Sequence, residues 1–355
     1  METLLRKRTV IVIVCLFFLL SLFAFTSSLF PSRVANVSED LTTFTDGQPL
    51  DSTTTSLASD EAEDQPEEED LIQVHTELSD AKSWKPKTFE PVSDTITNIV
   101  KANVRKHKKD QVLLTAVANN GMASYTLNWI ESLHRCKLAD KFLVFAIDKE
   151  LVDTLTEKGY GDHVVLIPEN WFHQKLSAGF AEWLDKDYTP ITHSKSLVVE
   201  RLLYMGITVW FSDVDIVFTS PAIYDYLMTK LTSRKFTEVL FTQETEQKIV
   251  NSGFYVMRPS NINKRILDES IRIQDNEPKV TQQRAINRIL DEMNLNYQTS
   301  PIALLDLALF PHGRMYFERK IPTKYGMEPM MVHANYRKGD AKRISLIDAN
   351  LWYID

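Results

Sequence analysis

Disulfide chemistry is almost absent from this chain. Its 355 residues contain two cysteines. Cys15 lies inside an apolar run and Cys136 stands alone in the globular part, so the folded region has no internal disulfide and needs an ordinary hydrophobic core. At this stage Cys136 is either buried or paired between subunits. Excess positive charge is also missing. The formal charge is −8, which gives no basic footprint for nucleic acid. No internal repeat is present, which excludes a solenoid or propeller. The stretch "LTTFTDGQPLDSTTTSLASDEAEDQPEEEDL" has few aromatics and is rich in Ser, Thr and acids. Such a segment buries too little apolar surface to offset the entropy of ordering.

What is present starts at the N-terminus. Arg6, Lys7 and Arg8 precede an uncharged stretch from Thr9 to Ser32 whose apolar heart is Val10–Phe25. That is long enough to cross a bilayer as a helix, and the flanking charge favours a cytoplasmic N-terminus. A cleaved signal peptide has a shorter apolar region, about 7–15 residues. The expected order is a cytoplasmic tail over 1–8, a signal-anchor over 9–32, an acidic stalk over 33–85 and a luminal domain over 86–355. Asn36-Val37-Ser38 is a glycosylation sequon close to the membrane. The charged run "VRKHKKD" reads as a solvated helix end or linker.

From Gln111 strand and helix patterns alternate. "QVLLTAVAN", "KFLVFAID", "DHVVLIP" and "ITVWFSDVDIVF" read as strands, separated by "MASYTLNWIESLHRC", "KELVDTLTEKG" and "THSKSLVVERLLYMG" as helices. This order predicts an α/β fold with a doubly wound, mostly parallel sheet and right-handed crossovers. The later segments "VLFTQE", "SGFYVMRPS", "PIALLDLALFP" and "PMMVHANY" alternate less regularly and predict a mixed second half.

One strand carries an anomaly. "GITVWFSDVDIVFTSP" accepts Asp213 and Asp215 in an otherwise apolar run. Two buried carboxylates close together are costly unless something positive meets them. They follow a strand, at the end where ligand crevices of open α/β sheets lie. Two residues apart in an extended segment, they face the same way. A hard divalent cation, Mg²⁺ or Mn²⁺, with diphosphate oxygens completing its shell, fits that arrangement.

"LLTAVANNGMASYTLNWIESL", "HSKSLVVERLLYMGITVWFSDVDIVF", "NSGFYVMRPSN" and "VHANYRKGDAKRISLIDANLWYID" occur in an order that resembles nucleotide-diphospho-sugar transferases, glycosyltransferase family 77 most closely. The resemblance runs from about residue 110 to the C-terminus. It implies a GT-A fold: a Rossmann-like half that binds the sugar nucleotide and a mixed acceptor half. It also implies a retaining transfer from a nucleotide-sugar donor, such as a UDP-sugar, to a glycan or glycoprotein. Asp213 and Asp215 match the Mn²⁺ and diphosphate motif, and His333 matches a third metal ligand. Gly339 and Lys342 match residues that contact donor phosphates, Lys195 a lysine near a helix start that reaches the donor, and Asn119 the edge that reads uracil. Asn251 and Gln283 match residues near the anomeric carbon. Gln282 stands where the family has aspartate, and an amide is no carboxylate nucleophile. That departure leaves a non-catalytic sugar-nucleotide-binding protein as an alternative. A haloacid-dehalogenase-like phosphohydrolase, which carries a similar Asp-X-Asp strand first in its fold, is another. The N-terminal apolar run predicts a single-pass type II protein, and with this resemblance the expected location is the Golgi membrane.

Overall fold

In the computed structural model, residues 83–173, 188–245, 248–295 and 301–355 are described. The expected anchor, the sequon and all of the stalk up to residue 82 lie outside the described residues. Among those described, no helix is long and apolar enough to cross a membrane. Trp84 packs against the domain, its indole donating to Asp268 Oδ2 at 2.8 Å.

The chain opens with α1 (Asp94–Asn103), capped by the Ser93 side chain. "VRKHKKD" is not a linker. It forms β1 (Arg105–His107) and the turn into β2 (Asp110–Ala118), paired antiparallel. Lys108 supports that turn at φ 53°. Then follow α2 (Ala123–Arg135), β3 (Leu143–Ala146), α3 (Lys149–Glu157) and β4 (Val164–Leu166). Next come α4 (Tyr188–Tyr204), β5 (Thr208–Ser212), β6 (Ile216–Phe218) and α5 (Ile223–Ser233). The second half holds β7 (Val239–Thr245), β8 (Ile249–Met257), α6 (Asn261–Asn276), α7 (Gln282–Glu292) and β9 (Ile302–Leu304). It ends with β10 (Met331–His333) and α8 (Asp340–Asp348).

The main sheet runs β4-β3-β2-β5-β8-β7-β9. The first four strands are parallel, β8 is antiparallel to both neighbours, and β9 is parallel to β7. This is the expected α/β class with its mostly parallel half and mixed half. Strand order reverses at β2 and β5, which makes their carboxyl ends the natural crevice.

Strand periodicity divides the core into two. On β2, Val112, Leu114, Ala116 and Ala118 face the core that holds Trp129 and Leu133 of α2. Leu113 and Val117 face the other, with Val198 and Leu202 of α4 and Ile266 of α6. β5 repeats the pattern, Trp210 entering the first core and Val209 and Phe211 the second. Burial on both faces explains why these strands are apolar throughout. A buried pair fixes the sheet's opposite end. Arg258 Nη2 donates to Asp110 Oδ2 at 3.1 Å and its Nη1 to the Thr237 carbonyl at 2.8 Å. Cys136 is buried in the first core and its thiol is pushed up to about 11 by burial, which removes the inter-subunit pairing.

Candidate active site

The two aspartates do not lie in an extended strand. β5 stops at Ser212, and a turn follows in which the Ile216 N–H reaches the Asp213 carbonyl at 3.3 Å. The carboxylates converge because the chain reverses, not because a strand alternates. The Asp213 N–H donates to the Gly253 carbonyl of β8 at 2.7 Å. Behind the turn, the Trp129 indole donates to Ser212 Oγ at 3.0 Å, and Ser212 Oγ donates to the Asp213 carbonyl at 3.0 Å. The chain then leaves the main sheet as β6, which pairs antiparallel with β10 in a second sheet.

That second sheet explains His333. In the register His333 lies opposite Ile216, directly beside Asp215. The Ala334 N–H also donates to the Asp215 carbonyl at 3.0 Å. His333 Nε2 is 3.3 Å from Asp215 Oδ1. One ligand atom each from Asp213, Asp215 and His333 lie within 4.8 Å of one another. A donor set of two carboxylates and an imidazole suits Mn²⁺.

Both carboxylates also meet lysines. Lys195 Nζ lies 2.5 Å from Asp213 Oδ1, and Lys342 Nζ 2.7 Å from Asp215 Oδ2. Asp215 is buried, which alone would push its carboxyl up. The charges of Lys342 and His333 outweigh that and hold it well below the usual carboxylate range. Lys195 is not near a helix start. α4 begins at Tyr188, so Lys195 sits inside the helix and reaches Asp213 past the Phe211 ring. The earlier start leaves no dipole penalty to explain.

Lys342 belongs to the first turn of α8, and Gly339 precedes it at φ 51° and ψ −135°. No atom stands within 4 Å of where a Cβ would be. The glycine is required by backbone conformation and not by room. The C-terminal tail fixes this helix to α2. Asn128 Nδ2 donates to the Leu351 carbonyl at 3.1 Å, and the Tyr353 N–H donates to Asn128 Oδ1 at 2.6 Å. Asn119 is buried just past the carboxyl end of β2, the neighbour of β5, whose end leads into the aspartates. Its carbonyl accepts from the Met122 N–H, while the Asn120 N–H donates to Asp148.

β8 supplies the rest. A Cβ on Gly253 would stand 2.6 Å from His333 Cε1 and 2.7 Å from Asp213 Oδ2. Asn251 Oδ1 accepts from the Gly253 N–H at 2.8 Å, and its Nδ2 donates to Glu244 at 2.5 Å. Asn335 Nδ2 approaches the same Glu244 oxygen at 3.5 Å. Gln283 Oε1 accepts from the Ser252 N–H at 3.2 Å, so it borders the same strand. Gln282 turns the other way. It is buried, and its amide approaches the Tyr255 hydroxyl without a well-aligned hydrogen bond. Burial, with the charge of Asp213 adding, pushes the Tyr255 phenol far up.

Gly253, Glu244 and Asn335 were not singled out from the sequence. Glycine inside a strand signals close approach of another group, so Gly253 was findable. Asn335 stands two residues after His333, the usual same-face spacing. Glu244 carries no local signal, because "TQETEQ" reads as a polar strand end.

The site therefore holds two carboxylates, an imidazole, two lysines and several amides at the carboxyl ends of β2 and β5. That set can hold a cation and a polyanion together. The shared position rules out the first-strand arrangement of the phosphohydrolase alternative, since β5 is the fourth parallel strand in chain order.

The chain is similar to several known proteins. A UDP-galactose:fucoside alpha-3-galactosyltransferase of Dictyostelium discoideum is 27% identical over 48% of this chain and 29% of its own length. A UDP-D-xylose:L-fucose alpha-1,3-D-xylosyltransferase of Arabidopsis thaliana is 28% identical over 64% of this chain and 66% of its own length. The chain thus spans under a third of the first relative and about two thirds of the second. Among solved structures, a glycosyltransferase involved in glycosylation of the major capsid of PBCV-1 aligns with TM-score 0.42 and 10% identity, over 68% of this chain and 98% of that one. Residues 137–346, more than half of the chain, match the sequence profile of nucleotide-diphospho-sugar transferases. The chain belongs to the nucleotide-diphospho-sugar transferase family.

Proposed function

We propose that this protein transfers a sugar from a UDP-sugar to a hydroxyl of a glycan or glycoprotein, with retention and with Mn²⁺ or Mg²⁺. The observation that carries this reading is the convergence of Asp213, Asp215 and His333, flanked by Lys195 and Lys342. Asp213, Asp215 and His333 would hold the cation, which offsets charge on the departing diphosphate. Lys195 and Lys342, which meet the two aspartates, would add positive charge for the same phosphates. The resemblance supports Asn119 as the residue that would meet the base, and a glycine at 339 would let backbone approach the phosphates. Asn251 on β8 and Gln283, which accepts from the Ser252 N–H of that strand, would supply the amides that support charge developing at the sugar.

The relatives named above use UDP-xylose or UDP-galactose, and both act on fucose or a fucoside. These names support fucose as the acceptor here, with an α-1,3 linkage. The apolar run at 9–32 supports a Golgi type II placement, with the catalytic domain luminal. Resistance of the full-length protein to carbonate extraction checks that placement.

The test of function is turnover. Full-length protein is offered UDP-xylose, UDP-galactose and other nucleotide sugars, with a fucoside and Mn²⁺. Release of UDP with formation of a fucoside disaccharide is expected. Binding of every donor without turnover of any would instead favour a non-catalytic sugar-nucleotide-binding protein.

A further inference from the structure

A second group of metal-ligating side chains lies outside the donor site. His173 follows β4, His193 lies on α4, and Asp275 is near the end of α6. One ligand atom of each lies within 4.8 Å of the others. His173 Nδ1 is 2.8 Å and 3.0 Å from the two Asp275 oxygens, and the side chains are 41% and 37% exposed. His193 is buried, its side chain only 3% exposed, and its Nε2 lies 3.3 Å from Asp275 Oδ1.

That last contact is the informative one. Despite the short distance, His193 Nε2 makes no hydrogen bond of acceptable geometry. A buried ring nitrogen is normally satisfied. Here it points into the space bounded by Asp275 and the His173 ring, whose centroid is 5.4 Å from its own. A neutral imidazole nitrogen left without a hydrogen-bond partner is the form that binds metals.

We propose that His173, His193 and Asp275 form a zinc site separate from the donor site. Two imidazoles and a carboxylate match the ligand set of Zn²⁺, whereas the donor site is richer in oxygen. Bonds of about 2.0–2.1 Å in a tetrahedron separate ligand atoms by about 3.3 Å. The His193–Asp275 distance already has that value, and the exposed His173 ring needs to withdraw by about half an ångström. Its exposed side leaves the fourth position to water. The ion would join three segments, two of which, those of His173 and Asp275, are 102 residues apart in sequence. One of those segments, α4, also carries Lys195. His193 and Lys195 are two residues apart and leave the helix about 200° apart. The zinc would thus fix α4 from one side while Lys195 meets Asp213 on another.

The test uses full-length protein in which Asp213→Asn and Asp215→Asn weaken the donor metal site. It is dialysed against buffered free Zn²⁺, and metal is counted by mass spectrometry. One equivalent of zinc is expected. His173→Ala and Asp275→Asn, added singly, should each weaken binding at least tenfold. Both residues are partly exposed, and unchanged circular dichroism would show that the fold survives. Tetrahedral Co²⁺ absorption in the parent, lost in both variants, is the second expected readout. Zinc retained equally by both variants would overturn the proposal. So would a parent that retains none, which would leave an ordinary histidine–aspartate hydrogen bond. Neither result bears on sugar transfer.

Discussion

Gly253→Ala is a small change with a defined target. A methyl at that position would lie 2.6 Å from His333 Cε1, 2.7 Å from Asp213 Oδ2 and 3.0 Å from Asn251 Oδ1. Real Cβ atoms do not approach so closely, so these groups must move. All three are side-chain atoms rather than backbone, and the aspartate is partly exposed, so they can withdraw without unfolding the sheet. Withdrawal separates two of the three cation ligands. Overpacking of this kind costs about 1–3 kcal/mol. If that cost falls on the metal-bound geometry, Mn²⁺ affinity drops by about 5- to 150-fold, at 1.4 kcal/mol for each tenfold. Titration of Mn²⁺ followed by loss of the free-ion electron-paramagnetic-resonance signal reads the affinity, and thermal unfolding without metal serves as the control. A large loss of affinity with a small change in unfolding temperature is expected. Unchanged affinity would refute the placement of Gly253 against the ligands. An unfolded variant would show that the glycine serves the strand rather than the site.

Other predictions follow from single contacts. Asp110→Ala leaves the buried Arg258 without its carboxylate, and loss of one partner of such a pair costs about 3–5 kcal/mol; chemical denaturation checks it, and a change under 1 kcal/mol would contradict it. Gln283→Ala should slow transfer by about 100- to 1000-fold, the usual cost of one charge-supporting donor. Gln282→Ala should slow it clearly less and act on stability instead, through Tyr255; equal kcat values for the two would contradict these assignments. Cys136, buried and with its thiol raised, should resist a thiol reagent at pH 7 until the chain is unfolded, because its thiolate fraction is minute. Fast labelling of the native protein there would contradict the packing.

Much of the fold was readable because strand and helix periods are clear in the first half. Alternate residues of β2 and β5 serve two cores, which forces the continuous apolar runs seen in the sequence. The charged run at 104–110 misled because strand pairing on an edge tolerates lysine. The helical pattern in the sequence starts at Thr192, inside the helix that runs from Tyr188, and so sets Lys195 too near its start. The aspartate pair was legible as an anomaly, yet its geometry was not. A turn and a switch to a second sheet cannot be distinguished from one long strand when both halves are apolar. His333 was legible only through resemblance. Its physical cause, the β6–β10 register, is a pairing between segments over 100 residues apart, and no local pattern reports it. Glu244 was invisible for the same reason, since its partners Asn251 and Asn335 come from β8 and the loop after β10.

The central claim is that Asp213, Asp215 and His333 bind the cation that holds a nucleotide diphosphate. Calorimetric titration of UDP into the protein, with and without Mn²⁺, tests it most directly when repeated on Asp213→Asn and Asp215→Asn. An amide lacks the charge that retains the ion. The account predicts UDP binding that depends on Mn²⁺ in the parent, with that dependence lost in both variants while the fold is kept. A variant that binds UDP with unchanged Mn²⁺ dependence would contradict it.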